Sequence, residues 1–224
     1  MALWVKLCGI TSVADARLVV REGADALGLN LVPSSKRRVD EDTAREIIAA
    51  VGTNVEVIAV VADLPLAELL ALRARLGVHA LQLHGSEPPA LLAALLPQAF
   101  RAVRIADQAD VALARSFGGE RLLADAKVRG ELGGTGHTFD WSLVTGLARE
   151  RALVLAGGLT PDNVAAAIRQ VRPHGVDTAS GVEAGDPRQK DAGKVARFVA
   201  EARRAAAEVG LDKPRGLDYE PVTS

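Results

Sequence analysis

Short runs rich in valine, leucine and isoleucine alternate with amphipathic stretches about every 25 residues along this chain. That beat restricts the possible folds more than any single residue does. The strand-like runs fall near 3–9, 25–31, 55–62, 78–83, 99–104, 120–125, 151–156 and 174–179. The helix-like stretches fall near 12–22, 41–51, 65–76, 87–96, 107–117, 140–149, 161–171 and 190–208. Thr11 or Ser12, Asp63 ahead of Leu64-Pro65, and Thr160-Pro161 read as helix starts. Gly23, Gly52 and Gly77 read as helix stops. A strand followed by a helix, repeated, requires parallel strands joined by right-handed crossovers. Eight such units in 224 residues match a single-domain α/β fold, a closed (β/α)8 TIM barrel. A doubly wound open sheet competes, but regular units without a long insertion favour closure. The barrel is expected over 1–209, with the polar segment 210–224 as an appended tail.

Charge narrows the range of partners. The chain carries 27 basic and 28 acidic residues, which argues against a general nucleic-acid or anionic-membrane surface. A local site for an anionic small molecule remains open. No apolar run approaches the roughly 18 residues that a membrane span needs. Cys8 is the only cysteine, so no intramolecular disulfide forms, and with no signal peptide in view a reducing cytoplasmic setting is expected. Cysteine and histidine spacings show no metal-site pattern, and no metal or cofactor is expected. A monomer and a homodimer are both compatible with the helix faces.

In such a barrel the chemistry lies at the carboxyl ends of the strands. The first strand alternates, with Leu3, Val5 and Leu7 on one face and Trp4, Lys6 and Cys8 on the other. The apolar face suits the helices outside, so Lys6 and Cys8 should point into the barrel. A lysine there needs an anionic partner or a water, and its charge would favour a thiolate at Cys8. A free cysteine is also simply a small hydrophobe. Lys36-Arg37-Arg38 follows the second strand, either as a solvated cluster or with an arginine as the fork for a carboxylate. The fourth strand ends in Gln82 and His84, the latter a base or a hydrogen-bonded structural residue. Asp125 ends the sixth strand, where a carboxylate needs partners or a raised pKa. Gly133, Gly134 and Gly136, then Gly157-Gly158, then Ser180-Gly181 occupy the last three loops of this rim. Glycines there let backbone N–H groups approach an anion, and loops after strands 7 and 8 recur as phosphate sites. The residues alone thus describe a barrel that binds a phosphate monoester, with a thiol and a carboxylate facing one cavity.

Six blocks extend this reading: "VKLCGIT" (5–11), "GADALGL…VPSSKRRV" (23–39), "LQLHGSE" (81–87), "GGTGHTFDW" (133–141), "LAGGLTPDNV" (155–164) and "GVDTASGVE" (175–183), followed by Lys190-Asp191. With them the chain resembles the phosphoribosylanthranilate isomerase family of tryptophan biosynthesis, and the likeness spans nearly the whole barrel. The resemblance implies an Amadori rearrangement of a phosphorylated sugar substrate without cofactor or metal. It implies Cys8 as general base and Asp125 as general acid. Arg37 would bind the anthranilate carboxylate, and Asp177 and Gln82 would contact substrate. Backbone amides at Gly134, Gly136, Gly157, Gly158, Ser180 and Gly181 would hold the phosphate. Three positions depart from the family pattern: His137 replaces a common lysine, Val32 a common aromatic, and Asn30 interrupts an apolar strand. The histidine-pathway Amadori enzymes resemble this chemistry but pair two aspartates, which Cys8 argues against. A non-catalytic barrel that binds a phosphorylated metabolite would have no reason to keep Cys8, Asp125 and Arg37 together.

Overall fold

In the computed structural model, which describes residues 2–126 and 140–211, the eight strand-like runs become eight parallel strands. They are β1 (Trp4–Cys8), β2 (Ala26–Asn30), β3 (Glu56–Val61), β4 (Ala80–Leu83), β5 (Ala99–Ile105), β6 (Arg121–Ala126), β7 (Ala152–Leu155) and β8 (Gly175–Thr178). Each pairs with the next, and β1 pairs with β8, so the sheet closes into a barrel. Closure leaves no sheet edge exposed. The helices are α1 (Val13–Arg21), α2 (Glu41–Val51), α3 (Leu66–Leu76), α4 (Pro89–Leu95), α5 (Gln108–Ser116), α6 (Thr145–Glu150), α7 (Val164–Val171) and α8 (Ala192–Glu208). Among the described residues no helix is long and apolar enough to cross a membrane.

Strand alternation builds two cores. Outward residues such as Val5, Leu7, Leu27, Leu81 and Leu155 pack beneath the helices in the larger one. Inward residues Trp4, Ala26, Ile58, Phe100, Leu123 and Val154 fill the barrel. The helices present apolar stripes at the expected spacing, as with Ala44, Ile47 and Val51 on α2. The Asp40 carboxylate caps that helix, accepting from the Thr43 N–H at 2.8 Å. Gly77 ends α3 in the left-handed region at φ 66°, which glycine enters without steric cost.

One helix start settles a choice the sequence left open, and two differ from the sequence expectation. Ser12 caps α1 and accepts from the Asp15 N–H, so the choice between Thr11 and Ser12 resolves to Ser12. Asp63 does not cap α3; its side chain accepts from the Ser86 N–H at 2.6 Å, joining the loops after β3 and β4. Helix α7 begins at Val164 rather than near 161, because Asn163 Oδ1 accepts from the Thr160 N–H and holds a turn there. The sixth helical stretch is divided, with a 3-10 helix over Trp141–Val144 preceding α6.

Candidate active site

The strand ends place the candidate residues at one mouth. Lys6 and Cys8 point into the barrel from β1, as the alternation requires. Room for them comes from β2, where Gly28 lies beside Cys8 in register. A Cβ on Gly28 would lie 2.7 Å from the Cys8 sulfur and 3.1 Å from Lys6 Nζ. Lys6 is fully buried, and its ammonium donates to Asp177 Oδ2 at 2.9 Å from the neighbouring strand β8. The anionic partner that a buried lysine needs is therefore Asp177. The other carboxylate oxygen, Asp177 Oδ1, is buried and has no partner among the described residues.

Burial shifts these groups. It raises the Cys8 thiol above its ordinary value; Lys6 pulls it down, and Asp177 pushes it back up. Lys6 does favour the thiolate, but burial outweighs it. Burial likewise raises the Asp177 carboxyl against the pull of Lys6. For Lys6, burial works against the charge, but Asp177 and Cys8 attract it and the net shift is upward. Cys8 itself is only partly buried and so stays within reach of the mouth.

Across the barrel, Asp125 lies in register with Arg104 of β5, one layer above the inward-facing Leu123. Its Oδ2 is 3.4 Å from His84 Nε2, and the other His84 ring nitrogen is 3.2 Å from Gln82 Nε2. The Gln82 amide can donate to Nδ1 in the tautomer that carries its proton on Nε2, the nitrogen nearer the carboxylate. His84 thus lies between the Gln82 amide and the Asp125 carboxylate. Gln82 is almost wholly buried, and its Oε1 has no partner among the described residues. Among the described residues of this mouth, Gln82 Oε1 and Asp177 Oδ1 are thus buried acceptors without donors. A buried acceptor without a donor is costly, so each marks a place where a hydroxyl or an amine fits.

On the β1–β2 side, the stem of Arg37 lies over Gly9, where any Cβ would strike the Arg37 Cδ. Gly9 also has φ 70°, so position 9 requires glycine twice over. The Arg37 guanidinium meets Glu183, a residue that sequence reading left without a role. On the other flank of β1, beyond the adjoining β8, Gly157 and Gly158 follow β7 with φ 83° and 67°. Ser180 and Gly181 open a short 3-10 helix after β8. The two loops interlock: Thr178 Oγ1 donates to the Leu159 carbonyl at 2.6 Å, and a Cβ on Gly181 would collide with that same oxygen. Gly134, Gly136 and His137 lie outside the described residues, as does the tail beyond 211. Asn30 turns its side chain to the loop, where Oδ1 accepts from the Val32 N–H. Among the described residues no group of three or more metal-ligating side chains is placed to hold an ion.

The fold is a (β/α)8 barrel with a thiol and a carboxylate at the ends of separate strands of one mouth. Comparison with known proteins identifies the family. Residues 5–201 match the sequence model for N-(5′-phosphoribosyl)anthranilate (PRA) isomerase, and the chain belongs to that family. It is 41% identical over 211 residues to N-(5′-phosphoribosyl)anthranilate isomerase of Magnetococcus marinus, covering 94% of this chain and 100% of that one. The crystal structure of phosphoribosyl anthranilate isomerase from Thermotoga maritima superposes with a TM-score of 0.83 at 36% identity, covering 90% of this chain and 99% of that chain. A phosphoribosyl anthranilate isomerase solved in complex with reduced 1-(o-carboxyphenylamino)-1-deoxyribulose 5-phosphate superposes at 0.80 with 35% identity, covering 90% and 99% of the two chains.

Proposed function

We propose that Cys8 and Asp125 carry out in this chain the reaction of its family, the Amadori rearrangement of N-(5′-phosphoribosyl)anthranilate to 1-(2-carboxyphenylamino)-1-deoxyribulose 5-phosphate. The observation that carries this reading is the placement of the thiol on β1 and the carboxylate on β6 around one mouth, with Asp177 between β1 and β7. The substrate is an aminoaldose. Asp125, as general acid, protonates the ring oxygen while the C1′–O bond breaks, and the anilino nitrogen lone pair forms the iminium. That iminium acidifies the C2′ hydrogen, which Cys8 removes as general base. The electron pair passes to the nitrogen through C1′, giving an enolamine, and tautomerisation yields the ketone. The substrate's own iminium is the electron sink in this sequence.

The surroundings suit each step. Burial keeps the resting thiol protonated, while Lys6 and Lys190 favour its anion. A small thiolate fraction can still serve as the base, because the burial that raises the thiol's pKa also strengthens its thiolate as a proton acceptor. The orphaned Gln82 Oε1 and Asp177 Oδ1 would accept from the sugar hydroxyls or the anilino N–H. Arg37 would bind the carboxylate of the aromatic ring. The phosphate would rest on backbone amides of Gly157, Gly158, Ser180 and Gly181, with Gly134 and Gly136 contributing from the loop before. Holding both ends fixes the sugar between acid and base. A small phosphorylated substrate is the partner on this reading, in a monomer or a homodimer. A reducing cytoplasm suits a chain whose one thiol must stay unoxidised.

The test is direct. Purified protein at catalytic concentration, mixed with N-(5′-phosphoribosyl)anthranilate, should consume it in a first-order decay of anthranilate fluorescence. Stoichiometric quenching without turnover would reduce the protein to a binder of the same ligand.

A further inference from the structure

Arg37 is not free in this mouth. Its Nε donates to Glu183 Oε1 at 2.6 Å and its Nη2 to Glu183 Oε2 at 3.1 Å. These two bonds occupy the side edge of the guanidinium. A guanidinium has a second edge, made by the outer hydrogens of its two amino groups, that can also receive a carboxylate in a planar, two-point fashion. Among the described residues Nη1 has no acceptor. Glu183 is itself held. Lys190 Nζ lies 3.4 Å from Oε1 and donates to the Ala179 carbonyl at 3.1 Å. Lys194 donates to the Glu183 backbone carbonyl at 2.8 Å. The stem of Arg37 is pinned against Gly9, so the side chain is fixed at both ends.

We infer that Glu183 is a positioning residue: it grips the side edge of Arg37 so that the outer edge faces the substrate carboxylate. The inference rests on the proposed role of Arg37 as the carboxylate clamp. Lys190 completes the arrangement. Without it, a substrate carboxylate docking on Arg37 would approach an uncompensated Glu183, and like charges at that range repel. The arrangement also explains why two loops far apart in sequence meet over β1: an arginine with this many rotamers binds a ligand poorly unless something immobilises it beforehand.

The experiment measures dissociation constants for two probes, reduced 1-(o-carboxyphenylamino)-1-deoxyribulose 5-phosphate and its counterpart lacking the carboxyl group, together with kcat on the substrate. Glu183→Gln should weaken the carboxylated probe about tenfold, leave the carboxyl-free probe unchanged, and alter kcat by less than about threefold. Glu183→Asp, which keeps the charge but withdraws it by one methylene, should fall between, and it carries the same test if Glu183→Gln does not fold. The double variant Arg37→Ala/Glu183→Gln should be no worse than Arg37→Ala alone, because Glu183 acts only through Arg37. Equal weakening of both probes, or additive losses in the double variant, would overturn the inference. Arg37→Ala leaving the carboxylated probe unaffected would instead remove the clamp itself, a separate and distinguishable failure.

Discussion

Two buried ion pairs flank the mouth of this barrel, and they leave their carboxylates in different states. Glu87 is saturated. Its Oε1 accepts from the Asp63 N–H at 2.8 Å, and its Oε2 accepts from the Gly85 N–H at 3.0 Å and from Arg101. Arg101 also binds the Leu83 and Gly85 carbonyls, so the pair ties the loops after β3 and β4 to β5. Asp177, by contrast, spends one oxygen on Lys6 and leaves the other buried and bare. A fully satisfied network rigidifies, whereas a partly satisfied one is tolerated where a ligand completes it. The same reasoning separates structural from functional charge on two sides of one sheet, since Arg101 faces the helices and Lys6 faces the cavity.

Substitution can break this contrast. Arg101→Met strands Glu87 and should cost about 3–5 kcal/mol of stability by urea titration, with kcat of the folded fraction near wild type. A preserved midpoint with collapsed turnover would invert the comparison. Lys6→Met should cost as much stability and also depress turnover, because it strips Cys8 of its main cation. Next in size, Cys8→Ala and Asp125→Asn should each lower kcat about 100-fold or more, with little change in melting temperature. Near-native turnover in either would remove that residue from the chemistry.

Alkylation sharpens the contrast with a smaller effect. Burial raises the Cys8 thiol, so its iodoacetamide reaction should rise with pH and inflect above the range of an ordinary exposed thiol. Lys6 opposes that rise, so Lys6→Met should move the inflection further upward. An unmoved inflection would mean that the lysine serves Asp177 alone. Smallest is Thr178→Val, which removes the bond that locks the loops after β7 and β8 together. It should cost about 1 kcal/mol and raise KM a few-fold through the phosphate end, with kcat steady. An unchanged KM would detach that lock from binding.

The sequence made much of this legible for identifiable reasons. Strand alternation reports which face a residue takes, and barrel topology reports which end matters, so Cys8, Gln82 and Asp125 could be placed by counting. The demand of Lys6 for an anion was also readable, but its partner was not, because Asp177 is brought beside it only by closure of β8 on β1. Glu183 was missed for the same reason. It lies 146 positions from Arg37, and a glutamate in a loop reads as a solvated charge. The signal available was its place in the matching block "GVDTASGVE" with a lysine seven residues on. Asp63 was assigned to a helix cap because local spacing allows it, and only the fold shows the neighbouring loop competing for its carboxylate. The competition between burial and Lys6 over the thiol was beyond reach, since depth is a property of the assembled barrel.

The bare backbone at Gly28 offers a way to retune the thiol without altering it. Because that position supplies the clearance for both the sulfur and the ammonium, adding a single methyl there would push the two against each other or drive them apart. Reactivity at Cys8 is thereby adjustable from an adjoining strand. A library built on this scaffold should vary the residue that yields the space before it varies the one that fills it.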